Sequence, residues 1–279
     1  MPTEATFNNG TVAIDYALVN EGIVVTDTYF ALVMDGTVHL ANATEPAQKA
    51  KTYSTMPAHE ADGAEVQLLV SEYSLNTMLL TAVELNLLNY TNSDQNSASI
   101  EMLMNNFEGT YGVHDNVTIV VNSAQENFQK YVPSIEVASG GSVITFYLDL
   151  HVRNPLDPSQ DAALLLVEAK ANVSFSVDGS LTLSGEVRSL DLSVVTFTPY
   201  FQTLSNAKGM NLKLTLATNM IESYANNILD NGYALPVPDS ISPYIKNEKV
   251  VAKEGYLLID GDCDFTQHLF VQAKLLALA

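Results

Sequence analysis

His59-Glu60 opens like the HExxH helix of a zinc hydrolase, in which two histidines one turn apart hold the metal and the glutamate activates water. The second histidine is missing, because position 63 is glycine. The other histidines stand at 39, 114, 151 and 268 with no partner at ligand spacing, so each reads as a surface or strand-face residue. DGDCD at 260–264 begins like a calcium loop, but such a loop needs glycine sixth and glutamate twelfth, and here those places hold Phe265 and Val271. That stretch reads instead as an acidic strand end. No GxSxG, no P-loop and no GxGxxG after a strand occurs. Cys263 is the only cysteine, so no intrachain disulfide can form and a metal site would need His, Asp or Glu. With no nucleophile beside a base, the chain reads as a non-enzyme without metal or cofactor.

Charge narrows the partners. Lys and Arg number 12 against 32 Asp and Glu, a formal net charge of −20 that repels phosphate backbones and anionic lipid surfaces, so nucleic acid is excluded. The same abundance of carboxylates empties any close acidic pair of meaning as an acid–base site. Apolar residues make up 47% of the chain, enough to bury a large core without cross-links. No run approaches the roughly 18 apolar residues of a transmembrane helix, and the opening MPTEATFNNG has neither the basic nor the apolar region of an export signal. Five N-x-[ST] sequons, at Asn9, Asn42, Asn89, Asn116 and Asn172, are possible glycosylation sites. Their number is near chance for this composition, so they permit secretion without arguing for it.

The elements that would position functional residues are mostly strands. In ITFYLDLHVR, 144–153, the residues Ile144, Phe146, Leu148, Leu150 and Val152 share one face. In EAKANVSFSVD, 168–178, Ala169, Ala171, Val173, Phe175 and Val177 do the same opposite a wet face, which predicts an antiparallel strand. Asp178-Gly179 predicts a hairpin into 181–197, and further strands read at 29–40, 65–70, 85–91, 116–121 and 256–265. Residues 42–63 and 153–161 read as loops. Two helices interrupt this pattern. In the first, SEYSLNTMLLTA at 71–82, Leu75, Met78, Leu79, Ala82 and Val83 form an apolar stripe, Asn76 and Thr77 fall elsewhere, and Ser71 is the predicted N-cap. In the second, 216–232, Leu216, Met220, Ile221, Tyr224 and Ile228 form the stripe and Asn231-Gly232 the stop. Helices do not follow each strand in turn, which excludes α/β and predicts an α+β fold, a curled antiparallel sheet packed on helices.

The order of segments resembles a known family. IDYALVNEGIVVTDTYFALVMDGTVHL (14–40), VSEYSLNTMLLTAVELNLLNYTNSD (70–94), GEVRSLDLSVVTF (185–197) and ILDNGYALPVPDSISPYIKNEKVVAKEGYLLIDGDCDF (228–265) are together similar to the carboxy-terminal half of the bactericidal/permeability-increasing protein family. That family also contains lipopolysaccharide-binding protein and the cholesteryl ester and phospholipid transfer proteins. GYALPVP (232–238) matches the family's turn after its second helix, and EGYLLIDGD its closing strand. The resemblance implies a long twisted antiparallel sheet curled into a barrel, or super-roll, around the two amphipathic helices. It implies that 1–279 is one lipid-binding barrel domain, with 1–28 a strand entering from an upstream N-terminal barrel and 266–279 an extra tail. It further implies a secreted, extracellular or luminal protein, without the cationic surface of the endotoxin-binding members.

The function implied is lipid binding or transfer, with a phospholipid or other acyl lipid in an apolar tunnel. Carried onto this sequence, the first helix supplies Leu75, Met78, Leu79, Ala82 and Val83 and the second Met220, Ile221, Tyr224 and Ile228, while strand alternation adds Phe146, Leu148, Leu150 and Phe175. The alternative is a structural or adhesive extracellular protein using the fold as an assembly module, its tunnel plugged by Met78, Phe146 and Tyr224.

Overall fold

A computed structural model describes residues 4–7, 11–15, 17–43, 57, 59–60, 65–86, 90–91, 119–123, 130–154, 157–200, 218, 222–223, 225–226, 229–230, 232–234 and 245–263. The alternating segments become three long strands, β10 (Gly141–Asn154), β11 (Asp157–Val177) and β12 (Thr182–Pro199), paired antiparallel with β11 in the middle. At about 3.3 Å per residue β11 would span roughly 70 Å if straight. Breaks in register at Leu166/Val167 and Asn172/Val173 against β12, and near Arg153 against β10, supply the bulges that bend such strands. The predicted hairpin at Asp178 is present: its carboxylate accepts from Ser180 N at 3.0 Å and Thr182 N at 2.9 Å. β13 (Tyr233–Ala234) pairs with β12, β8 (Ile119–Ser123) and β9 (Ser134–Ala138) with β10, and β7 (Tyr90–Thr91) with β8.

Opposite this sheet runs a second one, β14 (Ile245–Lys253), β15 (Tyr256–Cys263) and β6 (Val66–Ser71), with β15 in the middle. A third element is a ribbon. β2 (Val12–Asp15) pairs with β5 (Val38–Leu40), and β1 (Glu4–Phe7) joins β2. Bonds from Asp35 N to Ala17 O and from Gly36 N to Asp15 O carry the ladder on into β3 (Leu18–Val25) and β4 (Phe30–Met34). One continuous helix, α1 (Glu72–Glu84), stands among the described residues, between the ribbon's base and the two larger sheets.

Several sequence expectations change. The strand expected over 29–40 is two, because Asp35 and Gly36 turn the chain between β4 and β5, Gly36 at φ +70. The strand expected over 85–91 starts as helix end and turn, since α1 runs to Glu84 and Asn86 takes φ +56; Tyr90 and Thr91 are strand, as β7, and 87–89 lie outside the described residues. The loop expected over 153–161 is mostly strand: Asp161 accepts from Arg153 Nη1 and pairs with His151 Nδ1, both at 2.8 Å, and holds β11 on β10 there. Of the second expected helix, Thr218, Glu222, Ser223, Ala225, Asn226, Leu229 and Asp230 are helical. Its stripe lies outside the described residues. Among the described residues no strand pairing closes the sheets into a barrel.

Candidate functional site

Ser71 begins α1 as expected, its Oγ accepting from Ser74 N at 3.0 Å, and Glu72 places an acid at the positive end of the helix dipole. Leu75 and Val83 of the expected stripe are buried, Met78, Leu79 and Ala82 half-buried. Leu80 is buried as well, and so are three polar residues placed away from the stripe: Asn76, Thr77 and Thr81. Each polar one is paired. Asn76 Oδ1 accepts from Ile135 N and its Nδ2 donates to Ile135 O, both at 2.8 Å, so one amide completes the outer edge of β9 as a neighbouring strand would. On the other flank Thr77 Oγ1 accepts from Val38 N at 3.0 Å, and Thr81 Oγ1 donates to Val38 O at 3.2 Å, doing the same for β5. Glu72 Oε2 adds a bond from Val137 N at 2.9 Å. The helix is therefore wedged between two strand edges, with its apolar residues directed at the interior between the sheets.

That interior is one apolar cluster. Leu75 of α1 belongs to it together with Ile135, Val137, Ile144, Ala169, Ala171 and Val173, and with Ile245, Leu257 and Ile259 of the opposite sheet. Met78, Leu79, Phe146, Phe175, Leu192 and Leu229 pack against it while remaining partly open to solvent. The central strand is small-faced where its neighbours are large. Ala169 lies between Phe146 and Leu192, and Ala171 between Ile144 and Leu190; both alanines are buried, 0% and 2% exposed, beneath the side chains packed over β11. Ser142, on the same inward face and 2% exposed, has an Oγ with no hydrogen-bond partner. Met78 also touches the ribbon's buried base of Val12, Ile14 and Val38, joining the two apolar regions through α1.

Of the expected site residues, Leu75, Met78, Leu79, Phe146 and Phe175 come together in this cluster. Leu148 and Leu150 are buried farther along the same face of β10, and Val83 is buried one helical turn beyond Leu79. Met220, Ile221, Tyr224 and Ile228 lie outside the described residues, although Ala225 and Leu229 beside them reach the cluster. Among the expected glycan sites Asn42 and Asn172 are exposed, Asn172 donating to Ser189 Oγ across the wet face; Asn9, Asn89 and Asn116 lie outside the described residues.

Charge stays at the rim. Tyr256 donates to Glu60, which also lies 3.8 Å from Lys253 Nζ; burial, then the Glu60 carboxylate, push the phenol up to about 12. Burial likewise raises Glu84 at the end of α1. Among the described residues no group of three or more His, Cys, Asp or Glu could hold a metal ion, and no helix is long and apolar enough to cross a membrane. The chemistry the interior offers is burial of apolar matter.

Comparison with known proteins bears on what that matter is. Residues 8–265 match the model of the LBP / BPI / CETP family, C-terminal domain. No curated protein matches the chain in sequence. Among solved structures, the crystal structure of lipopolysaccharide binding protein is similar over 94% of this chain and 56% of its own, with a TM-score of 0.42 and 14% identity. The chain thus spans little more than half the length of that protein.

Proposed function

Since this chain belongs to the LBP / BPI / CETP family through its C-terminal domain, a family of lipid binding and transfer rather than catalysis, we propose that it holds a phospholipid or similar acyl lipid in the apolar interior between α1 and the β9–β12 sheet. One observation carries the reading. Met78, Leu79, Phe146 and Phe175 face inward from a helix and two strands, join one cluster and yet stay partly accessible, as side chains lining an opening do. The hydroxyl of Ser142, buried and unpaired on the same inward face, is a donor for the ester of such a lipid. Each methylene moved from water contributes about 0.8 kcal/mol, so a dozen gain on the order of 10 kcal/mol before ordering costs. No charged contact is required.

The finer expectations belong to the same reading: the sheets curl into a barrel around two amphipathic helices, and the protein is secreted with glycans at Asn42 and Asn172. Extraction of the purified protein with organic solvent followed by mass spectrometry tests the central claim. About one lipid per chain is the expected result, and a lipid-free protein whose interior excludes added phospholipid overturns it.

A further inference from the structure

The ribbon carries a surface that the interior site does not use. Leu18, Ile23, Val25, Phe30, Leu32 and Met34 are between 36% and 71% exposed. Register places them together: Leu18 opposite Met34, Ile23 opposite Leu32, Val25 opposite Phe30, so all six share one face of β3–β4. An apolar face of this kind marks an interaction site rather than scattered surface residues. The face is also held in place. At its base Asp35 accepts from Thr37 N at 3.0 Å, and the Thr37 hydroxyl lies 3.0 Å from Tyr73 OH of α1. At its far end Tyr29 stacks on His59 with centroids 4.6 Å apart, and Glu60 beside it is fixed by two 2.9 Å bonds to Gln67. The opposite face, Val24, Ala31 and Val33, is half-buried.

Area and charge select the occupant. Six side chains at these exposures offer on the order of 500 Å² of accessible surface, short of the roughly 800 Å² per partner that a stable protein interface buries. Residues 1–48 contain Glu4, Asp15, Glu21, Asp27, Asp35 and Glu45 and no Lys or Arg, and Asp27 and Asp35 bracket the face at its two ends. A second copy would set these acids against one another, and an anionic bilayer would be repelled. A neutral lipid surface meets neither objection. The geometry points to β3–β4 as a docking face for a zwitterionic lipid surface, lying flat with its six side chains in the headgroup boundary and its acids in water. The ribbon that carries this face is joined at its base to α1 and the apolar interior, through Met78 and the threonine bonds to Val38.

Flotation with vesicles of phosphatidylcholine alone, and of phosphatidylcholine with phosphatidylserine, tests the assignment. The protein is expected to float with the neutral vesicles and less with the anionic ones. The double variant Phe30→Ser/Leu32→Ser should lose at least tenfold in binding, and Val251→Ser, at an exposed apolar residue of β14, should lose nothing. Circular dichroism and extractable lipid of each variant show that the fold and interior are intact. A parent protein that ignores neutral vesicles overturns the assignment, whether light scattering then shows a dimer that the double variant dissolves, meaning a second copy covers the face, or a monomer. So does a double variant that binds as the parent does. Vesicle binding without extractable lipid would leave this face standing and remove the interior reading; the converse would remove only this face.

Discussion

The amide of Asn76 commits both donors, to Glu72 O and Ile135 O, and its oxygen, to Ile135 N, inside a buried helix–strand contact. Truncating it leaves the N–H and C=O of Ile135 dry and unpaired, a cost of about 1–3 kcal/mol for each group. Asn76→Ala should therefore lower the unfolding free energy by about 2–4 kcal/mol in urea titration, and Asn76→Leu should not recover it, because the loss is polar rather than one of volume. Tyr256 gives a prediction of opposite polarity with pH. Its phenol ionises near 10 in an unfolded chain and is raised to about 12 in the fold, so the folded state holds the proton longer. Stability from this source is complete below about pH 10 and is lost as pH climbs from about 10 to about 12. Tyr256→Phe should flatten that alkaline limb of a stability–pH curve while leaving the neutral region's slope unchanged; an equally steep limb in the variant would show that other groups cause it.

At the scale of elements, the ribbon's bend rests on Gly36, whose φ of +70 favours glycine and whose missing Cβ would lie 2.6 Å from Ser74 Oγ. Gly36→Ala is expected to lose about 1–3 kcal/mol in thermal or urea unfolding, and adding Ser74→Gly should restore only part, since the contact is relieved but the backbone strain is not. How far such elements can be read ahead differs by kind. Alternation in 144–153 and 168–178 revealed the inward faces of β10 and β11 because a strand with one wet face must repeat every second residue. α1 was legible from Ser71 and from Leu75, Met78 and Leu79 for the matching reason at period 3.6. Its polar burial was not. Asn76 and Thr77 fall off the apolar stripe in sequence, and only the tertiary placement of Ile135 and Val38 turns them, with Thr81, into strand-edge partners. Leu85 and Asn86 misled because a short apolar run suits a helix end and a strand equally, and 153–161 misled because Pro158 sits at the start of β11 rather than across a loop.

For the whole molecule the interior reading makes a volumetric prediction. Leu79→Trp adds bulk at a half-buried place on the inner wall, so the lipid recovered per chain should fall several-fold by mass spectrometry while far-ultraviolet circular dichroism stays that of the parent. Undiminished lipid in that variant would move the ligand elsewhere. The wedge position of α1 has a last consequence, which concerns what the chain does when it fails. The helix is the stopper on two open ladders: with it in place, β9 and β5 present side-chain partners instead of bare backbone to any neighbour. Breaking it, as by Leu79→Pro, would uncork both at once and convert a local melting into a templating event, with chains adding strand to strand. Such a variant should form thioflavin-positive fibrils under mild warming, whereas Gly36→Ala, which disturbs the ribbon and leaves the stopper seated, should unfold without polymerising.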